Sequence, residues 1–176
     1  CDTHGSVVAS IIAASPAEGD GLVGVAPEAE IISIRQSSGM FVRERGGNED
    51  DARAGTVSTL ARAIVHAANL GARVINMSIV SCVPVTKPVD QTTLGAAVRY
   101  AAVEKDVVLV AAAGNANAAS AGMPMGTGCS QNPNIDATNV DDPRNWGGVV
   151  TISTPSWFSD YVLSVSATDD RGQPAQ

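Results

Sequence analysis

Aromatic residues and histidine are scarce in this 176-residue sequence, which has two each of Trp, Tyr, Phe and His. With aromatics at 3%, the core has to be built from Ala, Val, Ile and Leu, which favours closely packed helices on a buried sheet. Basic residues are also few. The net charge is −7 and no basic stripe interrupts the chain, which argues against nucleic-acid binding by phosphate neutralisation. Two histidines and three cysteines at spacings that fit no zinc site argue against a metal cluster. An odd cysteine count leaves a free thiol or a partner elsewhere. No apolar run is long enough to cross a bilayer, and the best, VVLVAAA (107–113), has the length of a strand. No basic region with a small-residue cleavage site starts the chain, so a secretory signal or membrane anchor is expected only outside these residues.

What is present suits a globular domain. Hydrophobic residues make up 44% and charged residues 16%, enough to bury a core in a chain of one-domain length. After His4, Val7, Val8, Ile11 and Ile12 recur at helical spacing. AEIISIR (29–35) follows Pro27 and reads as a buried strand. In 56–71, Val57, Leu60, Ala61, Ile64, Val65 and Ala68 form one helical face, with Gly71 placed to end the helix. RVINMS (73–78) reads as a strand, and 92–105 as a helix with Leu94, Ala97, Val98, Ala101 and Ala102 inward. VVLVAAA and YVLSVSAT (161–168) read as two more strands. Helices alternate with near-continuous apolar strands, the pattern of an α/β fold whose parallel sheet is covered on both faces. Stretches 37–55 and 114–157, rich in Gly, Asn, Asp, Ser and Pro, read as long loops of functional interest. No internal repeat and no domain boundary is visible.

In an open parallel sheet, ligands gather at the carboxyl ends of the strands. Two ends stand out: NMSIVSC (76–82) and AAAGN (111–115), where Gly114 lets the chain turn and leaves Asn115 at a strand tip. Taken alone, Gly114-Asn115 is also an ordinary turn pair, and His4 is also an ordinary helix-start residue. His66 falls within a helix and is read as structural.

Five blocks in order change that reading: DTHGSVVASIIAA, GLVGVAPEAEIISIR, ARAIVHAANLGARVINMS, VVLVAAAGN and PSWFSDYVLSVSATDDRGQP. Over most of its length the chain resembles the subtilisin-like serine proteases (subtilases), with Ser6 where the family's His-Gly-Thr motif carries Thr. It is most similar to the mycosins, the membrane-anchored subtilases of mycobacterial type VII secretion. Cys1 before the His motif, Cys82 after NMSIVS, and Cys129 in GCSQNP carry that closer likeness.

The resemblance implies a subtilisin-like, doubly wound, mostly parallel sheet with helices on both faces. It implies a serine endopeptidase in which His4 is the general base and acid and the Asn115 side-chain amide is the oxyanion donor. It implies an extended peptide between two walls, Ser78, Ile79 and Val80 on one side and Ala112, Ala113 and Gly114 on the other. Val80 stands where many subtilases carry Gly, which points to small P1 side chains. It also implies a Cys82–Cys129 disulfide, hence an oxidising, extracytoplasmic cell-envelope setting; the alternative is two buried thiols. Cys1 would pair upstream.

No cofactor and no metal are implied. The acidic runs at 48–53, 140–143 and 168–171 lack the spacing of a dedicated calcium loop and read as solvated loop charge. Partners would be a peptide or protein substrate and type VII membrane-complex subunits, with no nucleic acid, and with the membrane reached only through a segment outside the chain. The triad's aspartate and the Gly-Thr-Ser nucleophile block find no match here, since Asp2 belongs to the His motif. Residues 1–176 are therefore expected to be an internal part of one catalytic domain, inactive by themselves. Two other readings stay open: an inactive subtilase-like scaffold or binding subunit of a secretion complex, and an unrelated α/β binding module.

Overall fold

The computed structural model describes residues 3–19, 21–36, 38–42, 53–54, 56–115, 129, 132, 138–139, 142, 145 and 147–173. Its contacts divide the chain into two compact units, Cys1–Thr56 and Val57–Gln176.

In the first unit, helix α1 spans His4–Ala13. It stops at Ala14, which is extended (ψ 124°), two residues before Pro16, which cannot continue a helix. The last carbonyls of a helix lack partners within it. Here the Gly24-Val25-Ala26 segment supplies them: the amides of Gly24, Val25 and Ala26 donate to the carbonyls of Ala14, Ile11 and Ile12 at 2.9, 3.0 and 2.7 Å. So close a backbone approach requires glycine. A β-carbon at Gly24 would meet the Ala14 amide nitrogen, and would lie 2.6 Å from the Ala13 nitrogen and 2.7 Å from the Ile12 oxygen.

The strand expected at 29–35 is not one. These residues join no ladder among the described residues, and Ile31 and Ile32 are about half exposed (44% and 45%). An apolar run expresses a tendency to be buried, but a strand also needs a neighbour to accept its hydrogen bonds. The 37–55 stretch, read as a loop, contains an antiparallel pair instead, β1 (Ser38–Val42) with β2 (Arg53–Ala54), irregular in register.

In the second unit the sequence periodicity translates directly. Helix α2 spans Val57–Asn69 and buries Leu60, Ala61, Ile64, Ala67 and Ala68, one stripe at helical spacing. It ends at Gly71 (φ 87°): the Ala72 amide reaches back to Ala67 and the Gly71 amide to Ala68, a Schellman closure. Helix α3 spans Thr92–Arg99 and runs into a π-helical turn, Tyr100–Glu104. Just before α3, the Asp90 carboxylate accepts the Thr92 amide at 2.9 Å. That bond, with one to the Thr92 side chain, holds the Asp90 carboxyl below its ordinary range.

The sheet core is parallel, in the order β3 (Val74–Met77), β5 (Val108–Ala112), β7 (Val162–Val165). Met77 pairs with Ala111, and Leu109 with Val162. Alternation along the strands sends Met77, Leu109, Ala111 and Val162 to one face, where they pack with Leu60, Ile64, Leu94 and Val98 of the two helices. Val74, Val108, Leu163 and Val165 turn to the other face and are about half exposed. A second ladder draws one of its strands from the 114–157 stretch that read as loop. β4 (Ser81–Pro84) and β6 (Thr151–Thr154) pair antiparallel, with Cys82 opposite Ser153. No helix among the described residues is long and apolar enough to cross a membrane.

Candidate active site

Parallel neighbours end at the same edge of a sheet. Since Met77 and Ala111 are paired, the chain runs on from Ser78 after β3 and from Ala113 after β5 at the same edge of the sheet. The two segments marked in the sequence as walls thus start from one edge of the sheet, in the same unit. The Asn76 amide donates to Ser78 Oγ at 2.8 Å at the start of the first segment. Ile79 packs against the core and Val80 is buried, so this segment is anchored by its apolar side chains.

The second segment is held at its backbone. The Ala113 amide extends the β5–β7 ladder, donating to the Val165 carbonyl at 2.9 Å. The Ala113 carbonyl accepts the Ser153 hydroxyl at 2.6 Å. Ser156, nearly buried, donates to the Ser153 carbonyl at 3.0 Å and lies 3.0 Å from the Ser153 hydroxyl. Gly114 and Asn115 are exposed, and no hydrogen bond of the Asn115 side chain occurs among the described residues. An amide at a strand tip, free of side-chain partners, can donate to a developing anion.

Cys82 and Cys129 form a disulfide, with Cα atoms 5.2 Å apart across 47 positions of sequence. It joins β4 to the Asn115 turn, since the Cys129 amide donates to the Asn115 carbonyl at 3.0 Å. Further along β6, Thr154 Oγ1 bonds Gln91 Oε1, which also accepts the Trp157 indole N–H at 3.0 Å. That cluster ties the start of α3 to the turn after β6.

His4 lies in the other unit, as the first residue of α1, and is exposed. His66 lies away from the strand ends, in a groove between α2 and α3 lined by Ala61, Arg62, Val65, Asn69 and Tyr100. Cys1, Asp2 and the acids Glu49, Asp50 and Asp51 fall outside the described residues. Asp169 in the 168–171 run spends one carboxylate oxygen on the amides of Arg171 and Gln173, at 2.9 and 2.8 Å. Among the described residues, no three His, Cys, Asp or Glu side chains gather as a metal site would need.

Sequence reading missed Ser153, Ser156, Gln91 and the β4–β6 ladder. The signal in TIST (151–154) was its alternation and β-branched residues, inside a stretch whose Gly, Asn and Pro content reads as loop.

The subtilase family model matches residues 1–176. Mycosin-3 of Mycobacterium tuberculosis (strain ATCC 25618 / H37Rv) is 51% identical over 178 residues, covering 100% of this chain and 38% of the relative. The structure of the MycP3 protease from the type VII (ESX-3) secretion system matches with a TM-score of 0.83 at 49% identity, covering 100% of this chain and 46% of that one. A chain of the intact ESX-5 inner membrane complex matches with a TM-score of 0.82 at 48% identity, covering 99% of this chain and 42% of that one. This chain thus spans less than half the length of each of these relatives. With residues 1–176 all matched by the family model, the chain belongs to the subtilase family.

Proposed function

We propose that residues 1–176 are part of the catalytic domain of a mycosin-type serine endopeptidase of a type VII secretion system. The observation that supports this reading is the β3–β5 pairing, from whose shared edge the segments starting at Ser78 and Ala112 both run on, with Asn115 three residues past the end of β5. On this reading the scissile peptide lies extended along those segments, recognised through backbone hydrogen bonds. His4, at the start of α1, takes the nucleophile's proton and passes it to the leaving amine. The Asn115 amide meets the oxyanion. The nucleophilic serine and the orienting carboxylate come from parts of the domain beyond this segment. Val80, in place of a smaller residue, favours small P1 side chains.

The same relatives support a setting for this reading. The similarity to a chain of the ESX-5 inner membrane complex supports assembly with membrane-complex subunits on the extracytoplasmic side, where a disulfide is stable. The relatives' description as proteases disfavours an inactive scaffold.

The test uses the intact parent protein with any pro-segment removed. It should react with a fluorophosphonate and cleave peptides. His4→Ala should abolish both, and Asn115→Ala should lower kcat by about 10²–10³ while labelling persists. A parent protein that neither labels nor cleaves, or an Asn115→Ala variant with unchanged kcat, defeats the proposal.

A further inference from the structure

Glycine before Asn115 leaves the strand tip free to swing, yet an oxyanion donor works only if it is held in place before charge develops. The hydrogen bonds around the turn show what holds it. The Asn115 amide N–H points to Cys129 Sγ at 3.4 Å, and the Cys129 amide donates to the Asn115 carbonyl at 3.0 Å. Both backbone groups of Asn115 are thus engaged by one residue, fourteen positions along the chain. That residue is itself bonded through sulfur to Cys82, on a strand whose neighbour, Ser153, caps the Ala113 carbonyl. Packing reinforces the arrangement: a β-carbon at Gly114 would lie 3.1 Å from Cys129 Sγ, so the turn is pressed against the sulfur.

We infer that Cys129, locked to Cys82, is a positioning residue for the Asn115 side-chain amide, beyond any part it plays in stability. The catalytic half of this inference rests on the proposed protease reading, while the positioning half stands without it. Cys129 touches no substrate. It fixes the φ and ψ of Asn115 through two backbone contacts, and so sets where the side chain leaves the turn. Breaking the disulfide frees Cys129 to leave β4, and Asn115 then loses both partners at once while Ala113 keeps its bonds to Val165 and Ser153.

The experiment compares the parent protein with its Cys82→Ala/Cys129→Ala variant, each with Asn115 and with Asn115→Ala. Two readouts are taken at a temperature where circular dichroism shows both folded. Hydrogen exchange reads positioning: protection of the Asn115 amide should fall at least tenfold in the cysteine-free variant, with the 162–165 amides unchanged. Peptide hydrolysis reads the consequence. A displacement of about 1 Å costs on the order of 10²-fold, so kcat should drop roughly ten- to hundredfold with KM within about twofold. In the Asn115→Ala background the same cysteine replacements should lower kcat no further. Unchanged exchange at Asn115, or an equal kcat loss in both backgrounds, overturns the inference and leaves the disulfide a stabilising staple. If the parent cleaves nothing but exchange at Asn115 responds, the protease reading fails and the positioning role holds. Should the variant fail to fold, the same two readouts are taken on folded wild-type protein reduced by a phosphine, with opening of the 82–129 bond verified by the mass of the alkylated peptides.

Discussion

Replacing Gly24 by alanine tests how α1 is held. The added β-carbon would press on backbone atoms of Ala13, Ala14 and Ile12, none of which can rotate aside as a side chain could. The 24–26 segment must therefore retreat, and its three amide-to-carbonyl bonds to Ala14, Ile11 and Ile12 lengthen or break together. Each such bond contributes roughly 0.5–1.5 kcal/mol, so the loss is about 1.5–4.5 kcal/mol. It falls on the first unit, which holds α1. Hydrogen exchange of the α1 amides should accelerate strongly, and a urea melt should show the loss as an earlier or separate transition. Gly5→Ala is the matched control. Its β-carbon meets nothing within 4 Å, so alanine in this first turn of α1 should leave the helix in place. A Gly24→Ala protein whose α1 exchange and unfolding midpoint match the wild type would refute the account of how the helix ends.

Two further predictions concern the second unit. Leu94→Ala removes a fully buried side chain between α2, α3 and the sheet, and should cost about 2–5 kcal/mol by denaturant melt, whereas exposed Val103→Ala should cost little. Asp90 favours its charged form when folded, because the Thr92 amide bonds the carboxylate. That stability is fully present above the unfolded carboxylate value of about 3.9 and fades as pH falls through the lower folded value, so Asp90→Asn should flatten the stability-versus-pH curve in that acidic window and nowhere else.

Elements built from local periodicity were legible: α2, α3, β3 and β5 follow from stripes and runs contained within each segment, and Gly71 marks a stop that its φ of 87° requires. What depended on a partner was not. Ile31 and Ile32 carry the composition of a strand, but no ladder among the described residues takes them up. Ser153 is one hydroxyl in a loop-like stretch until Cys82 lies opposite it and Ala113 within reach. GVAP was recognisable as a family block, yet its work as the cap of α1 appears only when Gly24 meets Ala14. Of the candidate site, the two segments the resemblance marks as walls could be located in the sequence because both follow apolar strands. The Asn115–Cys129 contact was not, because fourteen residues separate its partners.

β5 is flanked on both sides, by β3 and by β7, and its Leu109 and Ala111 are 1% exposed. Opening it locally would break two ladders and wet the core at the same time, so its cheapest route to exposure is unfolding of the whole unit. Asn115 stands three residues past the end of that strand. Breathing motions short of global unfolding therefore leave the anchor of the strand tip in place. Hydrogen exchange of the 108–112 amides should track the global melting of the second unit, with no earlier phase in which that unit stays folded and β5 has let go.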